Sequence, residues 1–214
     1  MSTVVVFAGG DPVAPAVRTQ IAPGAIVVAA DSGLHHAQDL DVPVDVVVGD
    51  FDSVDEARLA TAIARGARVE RHPEAKDFTD LELALQVAIR HDATDVLVVG
   101  GAGGRLDHFV ANVLLLASDA FASVRITALV GDARVTVVRS VAELQGEPGG
   151  LVTLLAAGGV ARGVRTKGLR FPLAGEELYP GSSRGVSNEF VDPVALVGLD
   201  AGVLLAIQPT GGAR

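Results

Sequence analysis

Val44-Asp45-Val46-Val47-Val48-Gly49-Asp50-Phe51-Asp52-Ser53 places two carboxylates directly behind a run of β-branched residues. The run Val44 to Val48 predicts a buried strand of a parallel sheet. Side chains of an extended chain alternate in direction, so Asp50 and Asp52 are expected to point the same way. Two carboxylates aimed at one spot repel each other unless a cation or a proton lies between them. In open α/β sheets ligands bind beyond the carboxyl ends of the strands. The stretch therefore predicts a site for a hard divalent metal, best met by magnesium carrying phosphate oxygens.

The whole chain is compatible with that reading. It has 214 residues, enough for one large domain or two small ones. Hydrophobic content of 49 % and a mean hydropathy of +0.42 supply an ample core, built from Val, Ala and Leu because aromatics are only 4 %. A net charge of −9 and a pI near 4.9 argue against a broad nucleic-acid footprint. With no cysteine, neither a disulfide framework nor a thiolate metal site is available. Met1-Ser2-Thr3-Val4-Val5-Val6 has no basic region or cleavage pattern and reads as a first strand. No apolar run reaches the length of a membrane span. The expectation is a soluble, cytoplasmic protein with no membrane or nucleic-acid partner.

Outward from the opening stretch, β-branched runs alternate with helical stretches. Strands are expected at residues 3–8, 25–30, 44–48, 67–71, 95–99 and 124–130, and helices near 14–21, 33–40, 54–65, 80–91 and 106–120. This rhythm implies βαβ units and a mostly parallel, Rossmann-like sheet. Near Gly131-Asp132 it changes to short strands without helices, at 133–139, 151–156, 160–166, 194–197 and 203–208, separated by glycine turns. The expected architecture is an α/β domain over residues 1–131 that carries the metal and phosphate site. A smaller all-β, sandwich-like domain is expected over 132–214.

Three further segments carry chemistry. Asp31-Ser32-Gly33 follows the second strand, where Asp31 either caps the next helix or faces the site. Lys76-Asp77-Phe78-Thr79-Asp80-Leu81-Glu82 contains a capping box, Thr79 with Glu82, and so opens a helix whose N-terminus suits an anion. Lys76 is placed to reach a phosphate, and Asp77 to face the same pocket as a metal ligand. Gly100-Gly101-Ala102-Gly103-Gly104-Arg105-Leu106-Asp107-His108 follows a strand and opens another helix. Its glycines allow close backbone approach, Arg105 offers a planar fork to phosphate oxygens, and Asp107 and His108 fall in the first helical turn. Neither the P-loop nor the dinucleotide pattern fits these glycines, and no serine-hydrolase elbow or zinc spacing occurs.

Taken together, these motifs resemble the thiamin pyrophosphokinase family in order and spacing. Gly168-Leu169-Arg170-Phe171-Pro172-Leu173 and Gly185-Val186-Ser187-Asn188-Glu189 resemble that family's C-terminal signatures, with Phe171 where some members carry tryptophan. The resemblance implies transfer of pyrophosphate from ATP to the thiamin hydroxyl, giving thiamin diphosphate and AMP. It also implies magnesium and a homodimer with sites between subunits. On this reading Asp50, Asp52 and Asp77 collect magnesium, with Arg105 beside them in the catalytic set. Asp31, Lys76, Thr79, Asp80, Arg105, Asp107 and His108 serve the nucleotide, and Phe171, Ser187 and Asn188 serve the acceptor. The proton acceptor is left open between Asp77 and Asp80. The rivals are a pyrophosphokinase for another heterocyclic alcohol, such as a hydroxymethylpterin, and a non-catalytic nucleotide sensor.

Overall fold

The computed structural model describes residues 2–75 and 77–210. It is a mixed α/β fold with a large sheet and a second, four-stranded sheet. The chain divides into two compact units. The first holds the described residues through Leu115 and Ser123–Gly131; the second holds Leu116–Ala122 and the described residues from Asp132 onward.

In the first unit the strands are β1 (Thr3–Ala8), β2 (Ile26–Ala30), β3 (Val46–Gly49), β4 (Arg68–Arg71), β5 (Asp95–Gly100) and β6 (Arg125–Val130). They lie in the order β6-β5-β1-β2-β3-β4, and every neighbouring pair is parallel. The helices are α1 (Gly33–Asp39), α2 (Glu56–Ala64), α3 (Asp80–Arg90) and α4 (Leu106–Leu116). Val4, Val5, Val6, Phe7, Val28, Ala29, Val47 and Val48 are completely buried, as expected of strands covered on both faces. Asp55 caps α2 by accepting from the backbone N–H of Ala57 and Arg58, and Thr79 caps α3 by accepting from Glu82. Among the described residues no helix is long and apolar enough to cross a membrane.

Two helical expectations change. Pro15–Gln20 is a 3₁₀ helix, of which only Val17 is buried, so it lacks the apolar face that would extend it. The helix expected over 106–120 stops at Leu116, and a separate 3₁₀ turn, Asp119–Phe121, follows with Ser118 as its cap. This turn belongs to the second unit for a visible reason. Leu116 and Phe121 are buried, and Arg139 donates to the carbonyls of Ala117 (2.9 Å) and Ser118 (2.6 Å).

The second unit contains β7 (Ala133–Val138), β8 (Val141–Gln145), β9 (Leu151–Ala156), β10 (Ala161–Lys167), β11 (Ala174–Leu178), β12 (Asn188–Glu189), β13 (Val194–Gly198) and β14 (Leu204–Pro209). One set runs β12-β9-β14-β7 and the other β11-β10-β13-β8, with antiparallel pairing throughout. A core of Leu144, Val152, Leu154, Val164, Leu178, Phe190, Val197 and Leu204 fills this unit. The sequence reading missed β8, β11 and the two-residue β12; of these, β8 and β11 hide for one reason. Both are edge strands carrying exposed charges (Glu143 and Glu177), a composition that protects an edge and disguises it as a loop.

Candidate active site

The parallel strands of the first unit end at a common rim, and each is followed by polar or glycine residues. A cavity of about 570 Å³ opens there, lined by Ala8 to Gly10 after β1, Asp31 and Ser32 after β2, and Asp50, Asp52 and Ser53 after β3. Gly101, Gly103, Gly104 and Arg105 after β5 complete that side, and Asp77 to Leu81 at the start of α3 close another.

Three carboxylates converge in it. One oxygen from each of Asp31, Asp50 and Asp52 lies within 4.8 Å of the other two. Asp31 was expected either to cap a helix or to face the site. The N-cap of α1 is Ser32, without a side-chain bond, and Asp31 turns into the cavity instead. Its backbone adopts a left-handed φ of 47° and its N–H donates to the carbonyl of Val48 (2.9 Å), which ties the end of β2 to β3. Asp31 is buried; Ser53 Oγ donates to its Oδ2, and its Oδ1 has no hydrogen-bond partner. A buried carboxylate oxygen with no donor, beside two more carboxylates, is the chemistry of an oxygen-ligand site for a hard divalent cation. The residues present thus fit magnesium.

Gly49 makes this convergence possible. A Cβ at Gly49 would lie 3.2 Å from both the Asp31 Cβ and Asp80 Oδ1, so the absent side chain leaves room for both acids. Gly10 does the same for the loops: a Cβ there would be 2.1 Å from the Ala102 carbonyl oxygen. The loops after β1 and β5 are stitched by Asp11 N–H to Ala102 (2.8 Å) and Gly101 N–H to Gly9 (2.8 Å). Gly100, Gly101, Gly103 and Gly104 all have positive φ, as a loop that folds back on a ligand requires.

Asp77, Thr79, Asp80, Arg105 and His108 all line the same cavity. Asp77 is on its wall and outside the 4.8 Å group, which among the described residues is Asp31, Asp50 and Asp52. Lys76 lies outside the described residues. Arg105 grips Asp107 with both arms of its fork, Nε to Oδ1 at 3.2 Å and Nη2 to Oδ2 at 2.6 Å. This bond pulls the Asp107 carboxyl down to about 2 and pushes the Arg105 guanidinium up. The sequence reading passed over Gly9, Gly10, Ser53, Glu74, Phe109 and Asn112, all of which line the cavity. Asn112 follows His108 by four residues on α4, so helical spacing alone would have found it. Gly9-Gly10 carries the same glycine-after-strand signal as Gly100-Gly101.

In the second unit, Phe171 is 51 % exposed and stacks under the Arg170 guanidinium, 5.7 Å from the ring centre. It is no core residue. Asn188 is buried and holds the Phe171 peptide from both sides, accepting from its N–H (3.0 Å) and donating to its carbonyl (2.7 Å). Ser187 has a left-handed φ of 57°, and its N–H donates to Thr153 Oγ1 (3.1 Å).

A carboxylate trio, a glycine loop and a helix N-terminus thus lie together at the carboxyl ends of the parallel strands of an α/β protein, a set of groups that could hold a divalent cation and a phosphate. The model of the thiamin pyrophosphokinase catalytic domain matches residues 19–128, and that of the family's vitamin B1 binding domain matches residues 141–204. The chain belongs to the thiamin pyrophosphokinase family. It is similar to the thiamine pyrophosphokinase of Bacillus subtilis, 36 % identical over 75 residues, a stretch covering 35 % of each chain. It is also similar to thiamine pyrophosphokinase 2 of Arabidopsis thaliana, 27 % identical over 184 residues, 78 % of this chain and 67 % of that one. A crystal structure of the Bacillus subtilis thiamine pyrophosphokinase shares the fold, with a TM-score of 0.86 at 22 % identity over 99 % of this chain and 100 % of that one.

Proposed function

We propose that this chain transfers a pyrophosphoryl group from ATP to the hydroxyl of thiamin, with magnesium, giving thiamin diphosphate and AMP. The observation that carries the reading is the trio Asp31, Asp50 and Asp52 in the cavity at the strand ends. Asp31, Asp50 and Asp52 would hold magnesium, with Asp77 on the wall as a further candidate ligand. A magnesium ion held by these carboxylates would supply positive charge to offset that of the phosphate oxygens.

The remaining work falls to positioning and fixed charge, as in other phosphoryl transfers. The glycine loop Gly100–Gly104 and the N-terminus of α3 offer backbone N–H groups to phosphate oxygens. Arg105, with Lys76 as the sequence reading has it, offsets charge on the transferred group and on departing AMP. Thr79, Asp80, Asp107 and His108 complete the nucleotide side, Asp107 by holding the fork of Arg105. The acceptor alcohol attacks the β-phosphorus, so the bond to the α-phosphate oxygen breaks and AMP leaves. Asp77 or Asp80 accepts the hydroxyl proton.

The acceptor is assigned to the second unit. The exposed ring of Phe171 offers a flat apolar surface to a heterocycle. Asn188 fixes the ring's backbone, and Ser187 lies beside it in sequence. In this reading the first unit is a Rossmann-like catalytic domain and the second a sandwich-like domain, working as a cytoplasmic homodimer. The match to the vitamin B1 binding domain favours thiamin over a pterin alcohol. The retained carboxylates speak against a silent sensor. The test is AMP release from ATP and magnesium with a panel of alcohols. Thiamin is expected to drive release; release driven by a hydroxymethylpterin and not by thiamin would overturn the assignment.

A further inference from the structure

We propose that Arg71 is a positioning residue for the metal-binding turn Asp50-Phe51-Asp52; the inference rests on the magnesium reading of Asp31, Asp50 and Asp52. Arg71 is the last residue of β4 and pairs in register with Gly49 at the end of β3. From there its side chain reaches across the turn. Nη1 donates to the carbonyl of Asp50 at 2.8 Å, and the guanidinium lies over the Phe51 ring, 4.7 Å from its centre. One planar cation thus fastens two successive residues, by hydrogen bond and by cation–π contact.

The turn requires such a fastening. Phe51 has a φ of 65°, a left-handed conformation that a bulky residue rarely adopts. It is this reversal that carries the chain from Asp50 to Asp52 with both carboxylates near Asp31. Phe51 belongs to the buried cluster that includes Ala29, Leu34, Val47 and Val54. Arg71 lies over its ring. Within the turn the Asp52 N–H reaches Asp50 Oδ1 only at 3.3 Å, a weak tie. Arg71 points at a carbonyl and a ring, so its role is to hold the geometry of two ligands. It is not itself a ligand.

Position and charge make opposite predictions. A guanidinium near a cation site repels the cation, so removing it on charge grounds alone tightens metal binding. Removing a clamp loosens the turn and weakens binding. The experiment uses the whole protein with Mn²⁺ as probe, titrated by electron paramagnetic resonance without nucleotide, on wild type, Arg71→Ala and Arg71→Lys. For Arg71→Ala the Mn²⁺ Kd is expected to rise about tenfold, the scale of one hydrogen bond with one cation–π contact. Arg71→Lys keeps the charge, loses the fork, and is expected to fall between the two. In turnover, both variants need more magnesium for half-maximal rate and regain most of kcat when it is saturating. Unchanged or tighter Mn²⁺ binding in Arg71→Ala overturns the positioning role alone. Absence of Mn²⁺ binding by wild type overturns the metal reading and this role with it.

Discussion

Asp31→Asn separates metal binding from folding within one side chain. Asparagine is nearly isosteric with aspartate, tolerates the left-handed φ of 47°, and can still accept from Ser53 Oγ. The fold is therefore retained. What changes is charge. With oxygens within 4.8 Å, each pair in the trio repels by about 1 kcal/mol in a water-like dielectric and about 3 kcal/mol at an effective dielectric of 20. Asp52 is exposed, so the lower figure governs its pairs. Removing the Asp31 charge relieves its repulsion with Asp52 at the lower figure and with Asp50 at up to the higher one, a gain of roughly 2–4 kcal/mol to the metal-free protein. The same change removes a magnesium ligand, and turnover is expected to fall on the order of 10²-fold or more. The assay pairs steady-state AMP release with thermal melts in EDTA and in magnesium. Asp31→Asn is expected to melt at or above wild type in EDTA, to lose most of the magnesium-induced rise in Tm, and to be nearly inactive. Near-normal kcat with an undiminished magnesium shift would refute the reasoning.

Other expectations follow from single contacts. Phe171→Ala is expected to raise KM for thiamin while leaving Tm almost unchanged, because the ring is exposed; a loss of about 3–5 kcal/mol in stability would mark it as core. Asn188→Ala strips two hydrogen bonds from the Phe171 peptide. It is expected to lower stability by about 1–3 kcal/mol in urea melts, with a rise in KM for thiamin as the ring loses its mount. Arg105→Lys keeps the charge and loses the fork, so KM for ATP is expected to rise without a change in Tm, the side chain being exposed. The Asp107 carboxyl is depressed from 3.8 to about 2 by Arg105. Its contribution to stability is therefore fully present above pH 4 and lost as pH falls toward 2. Acid melts of Asp107→Asn and wild type should diverge as pH rises from 2 to 5 and converge below pH 2; an offset that does not change between pH 2 and 5 contradicts the pairing.

Much of the first unit is legible in the sequence because its signals are local. β-branched runs mark strands that are covered on both faces, and Thr79 announces the helix it caps. Asp50 and Asp52 are legible because a strand directly precedes them. Asp31 as their companion is not. Its place beside them depends on β2 pairing with β3 and on the bond from Asp31 N–H to Val48, which no spacing along the chain encodes. Arg71 is hidden for the same reason, since it meets Asp50 only through the register of β4 on β3. In the second unit the edge strands β8 and β11 look like loops because their exposed faces carry glutamate. Asn188 offers in sequence only an amide of unknown use; the fold commits both ends of that amide to the Phe171 backbone.

Attack at the β-phosphorus is tested most directly by the fate of a β-³²P label in ATP. With magnesium and thiamin, the label is expected to move to thiamin diphosphate in step with AMP formation. Label retained in ADP, with thiamin monophosphate as the other product, would contradict pyrophosphoryl transfer.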